Sequence, residues 1–169
     1  MLSNMKYPRW WGQRLIELAA AMALFYMSVA LIEYREAVSK ANVPAEDWFV
    51  VNEIYVPDHP VGSNPNMVYD RTILVGHRGF WIAEAQRISP DGREGLFENA
   101  CTGSGVDDYD PSDVLGPDST VDWTWFFGRP CVVPPGAYRI QLTRDMTKPG
   151  YPVKQDQNFS NTFHVLPVK

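Results

Sequence analysis

The pattern of apolar and polar residues divides the chain into two regions of different periodicity. The first region, Leu15 to Ile32, is a nearly continuous apolar stretch in which Glu17 is the only charged side chain. A helix of this length spans roughly 27 Å, close to the roughly 30 Å hydrocarbon core of a bilayer. Interface-type aromatic residues flank the stretch on both sides: Trp10, Trp11 and Tyr34. We therefore predict a transmembrane helix over residues 15–34.

The charges before this helix predict its orientation. Lys6, Arg9 and Arg14 precede it without any acidic residue, which favours a cytoplasmic N-terminus over residues 1–14 and an exported remainder. A cleaved signal peptide is an alternative, because Ser28-Val29-Ala30 resembles a cleavage site. A soluble amphipathic helix fits less well, because Leu18 to Ile32 has no charged face. A retained anchor and a cleaved signal both export the rest of the chain.

Beyond the apolar stretch the pattern turns polar and then alternates. Residues 35–46 predict a helical stalk or linker that Pro44 ends. From residue 47 to residue 169 we predict one exported β-domain, with seven strands at Trp48–Val56, Met67–Val75, Phe80–Ile88, Leu96–Cys101, Val121–Phe127, Ala137–Thr143 and Phe159–Val168. No helical stretch separates these strands, so a purely parallel sheet is excluded and an all-β antiparallel sandwich is favoured. Gly103 to Ser119 is predicted to be a long acidic loop.

One segment resembles a known family of folds. Pro134-Pro135-Gly136-Ala137-Tyr138 is similar to the turn before the penultimate strand of immunoglobulin-like and fibronectin type III-like domains. Trp81 resembles the core tryptophan of these domains, and Ser160 to Val165 resembles their closing strand. The resemblance implies a seven-stranded immunoglobulin-like sandwich in which Pro135, Gly136 and Tyr138 form a structural corner. Ile140 stands where antibody domains have a cysteine, so their disulfide between the sheets is absent.

A looser resemblance concerns small, uncharacterised membrane-anchored proteins of bacteria and their phages. They combine an N-terminal anchor with a Tyr-Asp-Arg strand, here Tyr69-Asp70-Arg71, and a Cys-x-x-Pro-Pro-Gly-x-Tyr segment, here Cys131 to Tyr138. These motifs are fold signals and imply no chemistry.

Cys101 and Cys131 are the only cysteines. In an oxidising compartment two such residues usually pair, so we predict a disulfide that closes a loop of about thirty residues. The chain-entropy model gives this bond a stabilisation of roughly 3–4 kcal/mol. Two buried thiols remain an alternative. A catalytic cysteine is disfavoured because no local Cys-His motif accompanies either residue.

The predicted acidic loop is a candidate metal site. Asp107, Asp108, Asp110 and Asp113 offer the hard oxygen ligands that Ca²⁺ prefers, although their spacing is not that of an EF-hand. A solvated acidic loop is the simpler interpretation. The three histidines, His59, His77 and His164, lack metal-ligand spacing and predict no site. We expect no cofactor other than this candidate Ca²⁺.

The aromatic run from Trp123 to Phe127 is a candidate contact surface. On a strand, Trp123, Trp125 and Phe127 share one face, which predicts a core face. Phe126 would lie on the opposite face, where it could contribute to an exposed patch that docks a partner.

Charge and motifs restrict the function classes. The chain carries a net charge of −5, and the part after Ile32 holds 12 basic and 19 acidic residues, a net charge of −7. This acidic balance argues against binding to nucleic acid through a broad basic face. No phosphate loop, nucleophile elbow or metalloprotease motif occurs, so we expect no enzyme. We expect a membrane-anchored extracytoplasmic module that contacts another envelope protein. The alternatives are a phage-encoded envelope protein, for lysis or superinfection exclusion, and a metal-dependent module that uses the acidic loop.

Overall fold

The structure is a computed structural model that describes residues 9–89, 101–127 and 131–168. The chain forms two compact units, Met1–Asn42 and Val43–Lys169. From Arg9 onward, where the description begins, the first unit contains one helix, and the second, here called the β unit, is predominantly made of strands.

Helix α1 covers Arg9–Ala41 without interruption. It joins the predicted transmembrane segment to most of the predicted stalk, because no proline occurs between Arg9 and Pro44. A short 3-10 turn, Ala45–Asp47, then leads into the β unit. The large apolar side chains of α1 are exposed, for example Leu15 at 62% and Phe25 at 66%. The helix is long and apolar enough to span a membrane.

The described residues of the β unit form nine strands in two sheets. The strands are β1 (Phe49–Tyr55), β2 (His59–Pro60), β3 (Asn66–Ile73), β4 (His77–Arg87), β5 (Cys101–Tyr109), β6 (Thr120–Asp122), β7 (Gly136–Thr147), β8 (Lys154–Phe159) and β9 (Phe163–Leu166). The smaller sheet has the order β1-β3-β6. The larger sheet has the order β2-β9-β7-β4-β5, and β8 pairs with β7.

All strand pairs are antiparallel except one. The two-residue strand β2 runs parallel to β9, with His59 opposite Val165 and Pro60 opposite Leu166. The prediction of a purely antiparallel arrangement is therefore wrong at this edge, because a strand of two residues carries no alternating pattern. Strand β8 was not predicted, because its sequence KQDQNF is mostly polar and shows no alternation of apolar and polar residues.

The predicted acidic loop is partly a strand. Strand β5 pairs antiparallel with β4 along its whole length. Glycines are common in loops, but the glycines of β5 are needed because neighbouring residues leave no room for a side chain at these positions. A Cβ on Gly103 would lie 1.8 Å from the backbone oxygen of Phe126, and a Cβ on Gly105 would lie 2.6 Å from the Trp81 ring. Of the predicted strand Leu96–Cys101, residues 96–100 lie outside the described residues.

The predicted strand Val121–Phe127 is also corrected. After β6 the chain turns into the short helix α2, Trp123–Phe127. A carboxylate oxygen of Asp122 accepts hydrogen bonds from the backbone N–H of Trp125, at 3.1 Å, and from the Thr124 hydroxyl. This is the geometry of a helix N-cap, which ends the strand at Asp122.

The core lies between the two sheets. Residues from both sheets form its main cluster, with Met67 and Tyr69 of β3 against Ile140 and Leu142 of β7. A second cluster contains Trp48, Phe49, Ile73, Tyr109 and Met146. Strand β7 alternates between buried and half-buried residues from Tyr138 to Met146, which is the pattern of a strand with one face in the core.

Candidate functional site

The structure contains the disulfide predicted from the sequence. Cys101 at the start of β5 is bonded to Cys131, with a Cα–Cα distance of 5.8 Å. The bond joins β5 to the segment before β7, and both cysteines contact the main core cluster.

The predicted corner residues lie at the start of β7. The Tyr138 hydroxyl donates a hydrogen bond of 2.9 Å to the backbone oxygen of Pro134, four residues upstream. A Cβ on Gly136 would lie 3.1 Å from Nε of Arg87, and Pro135 is exposed. Tyr138 itself is 1% exposed, so the turn is fixed by a buried side chain.

The four aspartates of the candidate Ca²⁺ site are not gathered around one point. The Asp107 carboxylate accepts a hydrogen bond of 3.1 Å from the Trp81 indole, and that of Asp110 accepts one of 2.9 Å from the backbone N–H of Ser112. Asp108 follows Asp107 on β5 and so projects to the opposite face, while Asp113 accepts a hydrogen bond from the backbone N–H of Asp110. Within residues 9–89, 101–127 and 131–168, no group of three or more His, Cys, Asp or Glu side chains is placed to hold a metal ion.

Phe126 does not lie on an exposed face. It is fully buried and packs against Tyr69 and Trp81, with ring centroids 5.4 and 6.3 Å away. The expectation of an exposed contact is wrong because α2 replaces the alternating faces of a strand. Trp125 is the more accessible member of this run, at 37% exposure, and it stacks on Trp81 at 6.0 Å.

Between the sheets lies a group of charged and aromatic side chains, here called the arginine cluster. Its members are Phe49, Tyr69, Arg71, His77, Tyr109, Arg144 and Asp156. They come from both sheets and join the two hydrophobic clusters.

Arg144 is the centre of the arginine cluster and is only 1% exposed. Its Nη1 donates to the carboxylate of Asp156 at 2.8 Å, from the opposite position on β8. Its Nη2 donates to the Tyr69 hydroxyl on β3 at 3.1 Å, which links the larger sheet to the smaller one. The guanidinium carbon also lies 3.8 Å from the centroid of the Phe49 ring.

Arg71 brings a second guanidinium into the cluster. Its guanidinium carbon lies 5.0 Å from the Tyr109 ring centroid and 5.6 Å from that of Tyr69. Its Nε and Nη1 are buried and have no hydrogen-bond partner among the residues that the structure describes.

Burial also shifts the pKa values of other members of the arginine cluster. It raises the pKa of Tyr109 to about 12. It raises the pKa of the Asp156 carboxyl as well, although the charge of Arg144 opposes that shift.

Sequence reasoning missed the arginine cluster, although a signal was present. Tyr138, Ile140 and Leu142 share one face of the strand that begins at Ala137. Extending the same alternation by one step places Arg144 on that face. A buried arginine needs a carboxylate, and Asp156 lies in the polar segment that gave no strand signal.

His77 is the titratable side chain at one end of the arginine cluster. It is 7% exposed, stacks on Tyr109 at 5.0 Å and shares a hydrogen bond of 2.7 Å between Nδ1 and the backbone oxygen of Val75. Desolvation lowers its pKa from the ordinary value of 6.5, and the charges of Arg144, Arg71 and Lys148 lower it further.

We predict that His77 makes the β unit sensitive to mild acid. Below pH 6.5 the unfolded chain binds a proton on His77 more readily than the folded chain does. The contribution of neutral His77 to the free energy of unfolding is therefore fully present above pH 6.5 and is lost as the pH falls below it. The slope is at most about 1.4 kcal/mol per pH unit for one such group. Denaturant titrations at pH 7.5 and 5.5 measure it, and His77→Gln should remove it. A His164→Gln control, at an exposed histidine, should keep the slope; an unchanged slope in His77→Gln would contradict the assignment.

A second surface of interest is the free edge of the larger sheet. Strand β5 pairs with β4 on one side, and no other described backbone group hydrogen-bonds to its second side. Phe80 and Val106 are cross-strand neighbours on the outer face next to this edge, with exposures of 43% and 51%. We call the outer side of β5 together with Phe80 and Val106 the β5 edge.

These observations define a class: a β-rich unit of two sheets preceded by an apolar helix able to span a membrane. No protein-family model, curated protein or solved structure matches the chain.

Proposed function

We propose that this protein is a membrane-anchored extracytoplasmic binding module, and that its β5 edge contacts another protein of the cell envelope. In this proposal α1 spans the membrane with its N-terminus in the cytoplasm. The basic residues Arg9 and Arg14 before the apolar stretch support that orientation. The disulfide Cys101–Cys131 supports an oxidising location for the β unit.

The β unit is proposed to be a sandwich of the immunoglobulin-like or fibronectin type III-like kind. The hydrogen bond from Tyr138 to Pro134 supports this, since it resembles the tyrosine corner of those folds. The burial of Trp81 near the start of the long strand β4 supports it as well.

The observation that carries the functional proposal is the exposed side of β5. Among the described residues, this strand of nine residues is paired on one side only, so its second side offers a row of backbone donors and acceptors to an incoming strand. Strand addition of this kind takes its affinity from the backbone and its specificity from side chains beside the edge. Phe80 and Val106 are placed to supply that apolar specificity.

Site-specific photocrosslinking in living cells tests this proposal. A photoreactive amino acid at Val106 should give one discrete adduct with an envelope protein, identified by mass spectrometry. The matched control is Val114, which is 74% exposed and lies outside β5. Replacing Phe80 with serine should lower the yield from position 106 at least fivefold, because it removes apolar contact area beside the edge. Equal adducts from both positions, or no adduct from position 106, would refute the β5 edge as the contact surface.

A further inference from the structure

One end of the β unit is the place where the chain arrives from α1, and we call it the tether end. Only Asn42 separates Ala41, the last residue of α1, from Val43, which packs on the second hydrophobic cluster. The backbone oxygen of Trp48 accepts hydrogen bonds from the N–H groups of Leu74 and Val75, at 2.8 and 3.2 Å. The loop between β3 and β4 is therefore hydrogen-bonded to Trp48, six residues after the connection from α1 at Asn42.

The loop between β7 and β8 lies at the same end. The ring of Tyr151 meets the ring of Trp48 edge-on at 5.3 Å, and Lys148 lies 5.7 Å from the Tyr151 ring centroid. The Thr147 hydroxyl donates to the backbone oxygen of Arg78 at 3.1 Å, which joins this loop to the start of β4.

An open pocket of about 490 Å³ lies between these two loops. Its lining residues are Gly76, His77, Arg78, Thr147, Lys148 and Pro149. Two of them are cations, and none is acidic. The pocket is large enough for a phosphate group and open enough for a group that remains attached to a larger molecule.

The local charge at this pocket is opposite to that of the whole β unit. The pocket's lining cations are Arg78 and Lys148, and Asp108, the cross-strand neighbour of Arg78 on β5, places one carboxylate beside them. The residues after Ile32 nevertheless carry a net charge of −7. Because the β unit is acidic elsewhere, an anion should bind more favourably beside these two cations than at other places on its surface.

Exposed apolar side chains flank the pocket. Leu74, which precedes it in the β3–β4 loop, is 50% exposed, and Val153, at the end of the β7–β8 loop, is 61% exposed. Apolar tips beside cations, with an aromatic ring such as Tyr151 nearby, are typical of surfaces that contact the interface of a bilayer.

The tether brings this end close to a membrane. Nine residues, Glu33 to Ala41, extend α1 beyond the apolar stretch, so the chain leaves the helix at most roughly 14 Å from the hydrocarbon boundary. A tilted helix shortens this distance. The headgroup layer together with one Debye length of about 8–10 Å covers the same range.

We propose that the tether end docks onto the membrane that holds α1, with a phosphate of an anionic phospholipid between Arg78 and Lys148. Leu74 and Val153 then lie among the headgroups. This inference rests on the proposed membrane anchoring and goes beyond it, because it assigns a lipid site to the β unit.

The test uses the full chain in nanodiscs, with an environment-sensitive fluorescent amino acid at position 153. One set of discs contains phosphatidylcholine alone and the other contains about 30% phosphatidylglycerol. We expect a blue-shifted emission in the anionic discs that 0.5 M salt reverses, because salt screens charges at a surface.

Variants then assign the effect to the pocket. The pair Arg78→Gln and Lys148→Gln should lower the ratio of docked to undocked protein roughly 25-fold, which is about fivefold for each cation. The matched control is the pair Arg87→Gln and Arg139→Gln, which makes the same charge change at the other end of β4 and β7 and should keep the blue shift.

The outcomes separate this inference from the proposed anchoring. Protein that does not enter discs of either composition would refute the anchoring itself. Protein that enters both but gives the same emission in both would overturn only the lipid site. A blue shift produced in neutral discs by millimolar inorganic phosphate would also overturn it, since the pocket would then bind free phosphate.

Discussion

Replacing Asp156 with alanine is expected to lower the free energy of unfolding by about 3–5 kcal/mol, because it leaves a buried guanidinium without its counter-ion. Arg144 is 1% exposed, and Asp156 is the carboxylate with which it forms an ion pair, at 2.8 Å. Arg71 adds a second positive charge within the same arginine cluster. Urea titration of the disulfide-intact protein in detergent gives the change directly.

Two controls show whether the loss of stability in Asp156→Ala comes from the buried ion pair and not simply from the removal of a carboxylate. Asp145→Ala removes the neighbouring aspartate of β7, which accepts a hydrogen bond from Gln155 on the exposed side, and should change stability by no more than about 0.5 kcal/mol. The double variant Arg144→Met with Asp156→Leu should recover most of the loss, because apolar replacement of a buried ion pair is often neutral. A loss below about 1 kcal/mol in Asp156→Ala would show that Arg144 is not desolvated.

Removing the disulfide should have an effect of similar size. For a separation of 30 residues, the double variant Cys101→Ala and Cys131→Ala is expected to lose about 3–4 kcal/mol, since the unfolded chain regains the freedom that the bond removes. Urea titrations of this variant and of the wild type under non-reducing conditions provide the comparison.

A reduction experiment serves as the control for the cysteine substitutions. Wild-type protein in reductant should resemble the double variant, while the variant itself should not respond to reductant. Equal stability of oxidised and reduced wild type would contradict a structural role for the bond.

The sequence predicts the elements whose residues follow a strong period. The apolar run from Leu15 to Ile32 identifies α1, and alternation identifies β1, β3, β4 and β7 to within a few residues. The pair Cys101 and Cys131 was also correctly predicted, because two cysteines leave one pairing within the chain.

The elements that the sequence did not predict depend on contacts between distant residues. Gly103 and Gly105 belong to a strand because Phe126 and Trp81 pack where their side chains would be, which no local pattern reveals. Phe126 is buried because Asp122 caps a helix at that point. The ion pair of Arg144 joins β7 to β8, and the polar sequence of β8 gave no reason to expect a strand.

We propose that α1 crosses a membrane and carries the β unit into oxidising surroundings. A reporter enzyme that becomes active only outside the cytoplasm, fused after Lys169, tests it most directly. We expect activity in intact cells, and an inactive fusion when residues 15–32 are deleted. Activity of a cytoplasmic reporter at the same position, with the exported reporter silent, would contradict it.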